Sequence, residues 1–401
     1  MSKVYIVAAK RTAVGSFLGS LSQMSPAEFG AHVVKQIMED TKLDPRLVDE
    51  VISGNILPAG QGQGIGRQVA IKAGFPVEVP GYAINMVCGS GMKAIMDAYL
   101  KIQAGWANVI VAGGTESMSQ APHLLPSKGR SGYKMGNLEV IDHMIYDALT
   151  DAYDGIHMGI TAENIAEKHH ISREEQDAFA YNSQIKAIKS VDEGRFDNEI
   201  VGIEVKMGKE VVMFNKDEYP NRKTSLEKLA TLRPAFKKDG SVTAGNASGI
   251  NDGAAYVMLA SEEAVKKHGL TPLVEVVGVD QAGVDPKVMG LGPVGAVKNV
   301  LKRTGMKLDD IGLFELNEAF AAQSLGVVKE LSQDLGVNYQ DILDRTNVNG
   351  GAIAIGHPVG ASGARITVTL IHEMKKRGTN LGLASLCIGG GMGTAIILKN
   401  V

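Results

Sequence analysis

Two stretches of this chain follow one plan, and that repeat limits the folds open to it. Near the front runs Leu47-Val48-Asp49-Glu50-Val51-Ile52-Ser53-Gly54-Asn55, and further on Leu308-Asp309-Asp310-Ile311-Gly312-Leu313-Phe314-Glu315-Leu316-Asn317. In each half a turn-and-helix unit then leads to a strand that stops at glycines. The first unit goes from Gly89 through a helix to Gly105 and a strand ending at Gly113-Gly114. The second goes from Gly360 through a helix over 364–376 to Gly378, then a strand over 381–386 before Gly389-Gly390-Gly391. Two alternating strand and helix halves of similar plan argue for a duplicated α/β core.

The remaining punctuation divides the chain. Ser25-Pro26-Ala27-Glu28 carries the Ser and Glu of a capping box with Pro at the first helical position, so a helix is expected to about residue 42. Ser172-Arg173-Glu174-Glu175 opens another, closed near Gly194. Residues 120–250 are more charged and poorer in apolar runs, and read as a large insertion on the core. The small-residue loop Thr243-Ala244-Gly245-Asn246-Ala247-Ser248-Gly249-Ile250-Asn251-Asp252-Gly253 suits close backbone approach to an extended ligand. The expected units are 1–119 with 251–272, the insertion 120–250, and 273–401. A length of 401 residues with 44% apolar content fits such a multi-unit chain. The glycine and glutamine loop 60–66 lacks the spacing of a dinucleotide fingerprint.

Chemistry concentrates at the glycine turns. Cys88 stands in Asn85-Met86-Val87-Cys88-Gly89-Ser90-Gly91, between a short apolar run and a helix. A helix N-terminus there favours the thiolate that nucleophilic catalysis uses, although a small buried thiol in a tight turn is also open. His357 occupies the matching turn of the second half, in Gly356-His357-Pro358. Cys387, the only other cysteine, ends the following strand. The two cysteines have neither metal-ligand nor disulfide spacing, and such usage fits a reducing cytosol. A net charge of −3 gives no sign of a nucleic-acid partner. No apolar run is long enough to span a membrane, and the start is too quickly charged for a signal peptide.

Taken together, these motifs resemble the thiolases, and within them the short-chain acetyl-CoA acetyltransferase branch. The resemblance runs from about Val4 to Leu398 and adds Gly245-Asn246-Ala247-Ser248-Gly249, Asn317-Glu318-Ala319-Phe320 and Cys387-Ile388-Gly389-Gly390-Gly391 to the two turns. It implies a five-layered αβαβα core with an inserted loop domain over coenzyme A. It also implies that Cys88 takes an acetyl group, that His357 removes the Cys88 proton, and that Cys387 takes a proton from a second acetyl-CoA to give acetoacetyl-CoA. Amides at Cys88 and Gly389 would face the thioester oxygen, with His357 and a water on Asn317 facing the enolate oxygen.

For the coenzyme, the resemblance assigns Ser248 to the pantetheine arm, and His157, Met158, Phe236, Ala244, Ala319 and Phe320 to the tunnel. Met289 borders the acyl end, and Arg222 stands nearest the adenosine phosphates. No cofactor or metal is implied; acetyl-CoA, acetoacetyl-CoA and CoA enter as substrates. A cytoplasmic homotetramer, a dimer of dimers with its contact around 123–143, is expected. Residues 331–345 read as a surface excursion. Ketosynthases share the duplicated fold but use a histidine pair, whereas here Cys387 holds the second position. A broader 3-ketoacyl-CoA thiolase and a non-catalytic acyl-CoA-binding protein remain as alternatives; the latter would be expected to have lost Cys88, His357 or Cys387.

Overall fold

The computed structural model describes residues 3–401; residues 1 and 2, which open the first expected unit, lie outside the described residues. The first half contributes strands β1 (Val4–Thr12), β2 (Glu50–Gly54), β3 (Gly81–Ile84), β4 (Val109–Ser117) and β5 (Asn251–Ser261). The second contributes β6 (Val274–Gly283), β7 (Leu313–Leu316), β8 (Leu381–Ile388) and β9 (Met392–Asn400). Their order is β7-β8-β9-β6-β1-β5-β4-β2-β3. Each half has parallel strands on its outer side (β3, β2 and β4; β7 and β8) and antiparallel ones toward the junction. The junction itself is short, with Tyr5 opposite Glu275 and Ile6 opposite Val274.

Strand alternation explains the layers. On β4, Val109 and Val111 face outward to helices α1 (Pro26–Thr41) and α2 (Ile65–Ala73), through Phe29, Val33 and Val69. Ile110 and Ala112 face inward. The inner space holds helix α3 (Ser90–Gln103), with Met92 and Ile95, and helix α9 (Ser362–Arg377), with Ile366 and Leu370. Beyond the second sheet, helices α6 (Gly292–Thr304) and α7 (Ala321–Leu335) cover Leu383 and Ile397 with Val297, Val300 and Leu325. Helices, sheet, paired central helices, sheet and helices make the five αβαβα layers.

Both capping boxes form, at Ser25 and Glu28 and at Ser172 and Glu175, and start α1 and α5 (Arg173–Asp192) where the sequence places them. One expectation changes and one is refined. Strand β4 does not stop at Gly113-Gly114 but runs on to Ser117. Those glycines allow close approach instead: a Cβ on Gly114 would lie 2.1 Å from the Gly360 carbonyl oxygen. Residues 331–345 lie largely at the surface, as expected, but are helical and anchored in the core. They complete α7 and form α8 (Tyr339–Asp344), with Leu331 and Ile342 buried in the outer core.

Residues 120–250 feed several cores. Ile165 and Ile171 join the second outer layer, and Ile203, Val205 and Phe214 join the first. A buried cluster ties this region to β1. Arg11 donates from Nε to Glu199 at 2.6 Å and from Nη1 and Nη2 to Asp217 at 2.7 and 2.9 Å. Removing one partner from such a cluster leaves buried charge uncompensated. Arg11→Met is therefore expected to lower stability by about 3–5 kcal/mol, read as the shift of the urea unfolding midpoint. An unchanged midpoint would show that the cluster contributes nothing net.

Candidate active site

The parallel strands of both halves end at one place, as sites of α/β sheets do. The chain leaves β3 and turns sharply at Val87, a β-branched residue held at φ +45°, a backbone region such residues rarely occupy. Ser90 fixes the turn. Its Oγ accepts the Met86 N–H at 2.8 Å and donates to the Val87 carbonyl at 2.7 Å. Cys88 is thereby presented just before α3. Gly89 is needed here because any Cβ would come within 2.3 Å of Ile388 Cδ1. The end of β8 thus lies against the Cys88 turn, with the Gly389 amide near the Cys88 sulfur.

The sequence leads to the expectation of a thiolate at Cys88. The structure reverses it. Burial pushes the thiol up to about 11, outweighing the amides of Gly389 and Cys88 that pull it down. Cys387 is fully buried on β8 and is pushed up further, by burial first and then by Cys88. Both sulfurs rest as thiols, so chemistry at Cys88 requires a base.

His357 stands on the same cavity, in a frame that fixes its ring. Its N–H donates to Asn251 Oδ1 at 2.9 Å, and Nδ1 lies 2.5 Å from Ser362 Oγ. Ser362 gives its own proton to the Pro358 carbonyl at 2.8 Å, so its oxygen accepts Nδ1–H. The other nitrogen, Nε2, is left as the basic one, with Asn317 Nδ2 leaning toward it at 3.5 Å. Burial, followed by the charge of Arg365, lowers His357 to about 4 and keeps the ring neutral. A neutral imidazole and a thiol on one cavity, with Nε2 met only by the Asn317 amide, are the parts a base and nucleophile pair is made from. Asn317 is buried, and its Oδ1 has no protein donor.

That cavity measures about 510 Å³. Cys88, His357, Ser248 and Ala244 lie along it, with His157, Met158, Met289, Phe236, Ala319 and Phe320 on its apolar walls. His157 caps α4 (Met158–Lys168), its Nδ1 accepting the Gly159 N–H at 3.0 Å. Phe236 stacks on His157 at 4.6 Å and meets Phe320 edge-on at 6.1 Å. Met158, Met289, Phe320 and Cys387 form one apolar cluster. Arg222 is not on these walls. It lines an adjoining polar hollow with Lys223 and Asn221, and pairs with Asp192 through Nη1 at 2.9 Å and Nη2 at 2.5 Å.

Several supporting groups escape sequence reasoning. Ser362 carried a faint signal, five residues after His357 at the head of a helix. Asn251 carried only its place in the small-residue loop, and Glu116 carried none. Glu116, one residue before the end of β4, accepts from Asn55, Ile56, Leu57 and Gly360 at 2.9–3.1 Å, fastening the His357 loop to the first half. Glu318 does likewise in the second half, accepting from Ser183 at 2.6 Å and Asn347 at 2.8 Å.

Comparison with known proteins agrees with this geometry. The family model described as the thiolase N-terminal domain matches residues 4–263, and the thiolase C-terminal domain matches 270–400. An acetyl-CoA acetyltransferase of Pseudomonas aeruginosa is 53% identical over 399 residues, 99% of each chain. The solved acetyl-CoA acetyltransferase from Syntrophomonas wolfei superposes with a TM-score of 0.96, at 43% identity and full coverage of both chains. Human mitochondrial 3-ketoacyl-CoA thiolase gives 0.94 at 43% identity, covering 100% of this chain and 99% of its own. With both family domains matched in order and a duplicated core whose two halves meet at a cysteine and a histidine, the chain belongs to the thiolase family.

Proposed function

We propose that this chain is an acetyl-CoA C-acetyltransferase, joining two acetyl-CoA into acetoacetyl-CoA and CoA and running the reverse thiolysis. One observation carries the reading: a thiol and a neutral imidazole open on one cavity walled by Met158, Met289, Phe236 and Phe320, bulk that suits a short acyl group. The names of full-length relatives about half identical to it support the same activity.

The steps balance as follows. His357 Nε2 takes the Cys88 proton, and the sulfur attacks the thioester carbon of acetyl-CoA. The bond to the coenzyme sulfur breaks, and that sulfur leaves with the Cys387 proton. Acetyl-Cys88, the Cys387 thiolate and the His357 imidazolium remain. Cys387 then removes a proton from the methyl carbon of a second acetyl-CoA, and the carbanion attacks the acetyl carbon. Cys88 departs and recovers its proton from His357. Gly389 and Cys88 amides serve the first oxyanion, His357 and Asn317 the second.

Ser248 and Ala244 are assigned to the pantetheine arm. Arg222, with Lys223, is assigned to the adenosine phosphates, exchanging Asp192 for phosphate. The chain is assigned to the cytoplasm as a homotetramer. Exposed apolar side chains at Leu125, Leu138 and Met135, the last 94% exposed, support a subunit contact around 123–143. We keep the three units named above, with 120–250 as the loop domain over the coenzyme.

A second reading, a broader 3-ketoacyl-CoA thiolase, has the equal identity of the human mitochondrial structure in its favour. Thiolysis of acetoacetyl-CoA and 3-ketohexadecanoyl-CoA by free CoA separates the two. We expect fast cleavage of the short substrate only. Equal or faster cleavage of the long one would move the chain to the broader class.

A further inference from the structure

Surface loops are ordinarily the mobile part of a fold; the loop after β1 is pinned. Residues 16–20 carry two apolar side chains in water, Phe17 at 44% exposed and Leu18 at 67%. Leu18 sits at φ +56°, a backbone region that residues other than glycine rarely hold. Its N–H donates to Ser119 Oγ at 2.8 Å. Glu218 gathers the rest of the turn. Its Oε1 accepts the N–H of Ser16 at 2.7 Å and of Ser20 at 3.0 Å, and its Oε2 accepts the Ser20 hydroxyl at 2.6 Å.

Two neighbours stiffen this frame. Asp217, next to Glu218, is held by Arg11 and also accepts the Val14 N–H at 2.8 Å. Asn251 donates from Nδ2 to the Gly15 carbonyl at 3.0 Å, while its Oδ1 accepts the His357 N–H. The loop is therefore fixed to the same residue that fixes His357.

The side chain this frame presents is Phe17. It lies on the wall of the cavity of about 510 Å³ that holds Cys88 and His357, as does the exposed Ile145. Ser16, beside it, is also a wall of the polar hollow of Arg222 and Lys223, and the two spaces share Ser16, Tyr219 and Ala244. A coenzyme A thioester with its reacting carbon at Cys88 and its phosphates in the polar hollow passes this neck at the middle of its arm. Coenzyme A carries there its one branched apolar unit, the two methyl groups of the pantoyl part, between the amides and the phosphates.

We propose that Phe17 is a substrate-binding residue that packs against the pantoyl methyl groups of coenzyme A, and that Glu218 is the positioning residue that holds it there. This rests on the reading of the cavity as a coenzyme A thioester site. The loop is ordered and its strain is met before substrate arrives, so binding need not order it.

The test is thiolysis of three acetoacetyl thioesters, each with its own free thiol as acceptor. They are those of coenzyme A, of pantetheine, which keeps the methyl groups and lacks the nucleotide and phosphates, and of N-acetylcysteamine, which lacks both. Phe17→Ala is expected to raise KM for the first two by about fivefold to twentyfold with kcat unchanged, and to leave the third as in wild type. Phe17→Leu, which keeps apolar bulk, is expected to recover most of the wild-type KM. Glu218→Ala is read on the pantetheine thioester, where no phosphate gains from the lost negative charge, and is expected to raise KM in the same direction. A loss in Phe17→Ala that the N-acetylcysteamine thioester shares equally, that is confined to coenzyme A, or that is absent from all three would overturn the proposal while leaving the reaction standing. A wild type that cleaves none of the three would overturn the reading of the cavity, and the proposal with it.

Discussion

Cys88→Ala is expected to abolish both directions of the reaction, lowering thiolysis of acetoacetyl-CoA by at least about 10⁴-fold. The size follows from the route. Without the sulfur there is no acyl-enzyme, and one difficult transfer is no longer split into two easier ones. The protein should fold as before, because Cys88 lies against the cavity and the elbow is held by Ser90 and Val87 rather than by the thiol. Equal unfolding midpoints with the rate gone would assign the loss to chemistry. A rate within tenfold of wild type would remove Cys88 from the reaction path.

Cys387→Ala is expected to separate the two half-reactions. Condensation and thiolysis should fall by about 10²–10⁴-fold, the range for loss of a positioned proton-transfer group. Exchange of labelled CoA into acetyl-CoA should fall far less, because it needs only Cys88 and His357, with solvent able to protonate the departing coenzyme. The split distinguishes a proton-transfer role from packing. Cys387 is wholly buried among Met158, Met289 and Phe320, so a merely structural loss would depress exchange and condensation together.

What the sequence discloses here follows from the range of the interactions. Helices α1 and α5 begin where Ser25 and Ser172 place them because a capping box spans three residues. Cys88, His357 and Cys387 are legible because cysteine is scarce in this chain and glycine-rich turns mark strand ends. The groups that hold the site together act across the chain: Glu116 on Gly360, Asn251 on His357, Arg11 on Glu199 and Asp217. No local pattern encodes those pairings. The thiolate expectation at Cys88 failed for the same reason. The helix terminus is visible in sequence, but the burial that outweighs it comes from partners such as Ile56, Leu57 and Met118 that only the fold delivers. Gly113-Gly114 looked like a strand stop because a glycine pair signals a turn locally, whereas Gly113 admits the backbone of Ala255 and Gly114 the Gly360 loop.

The most direct measurement is to mix the reduced protein with labelled acetyl-CoA, quench in acid and map the label by peptide mass spectrometry. The account requires one acetyl group on the peptide containing Cys88, removed by adding free CoA and missing in Cys88→Ala and His357→Asn. Label on Cys387 instead, or turnover with no labelled cysteine, would contradict it.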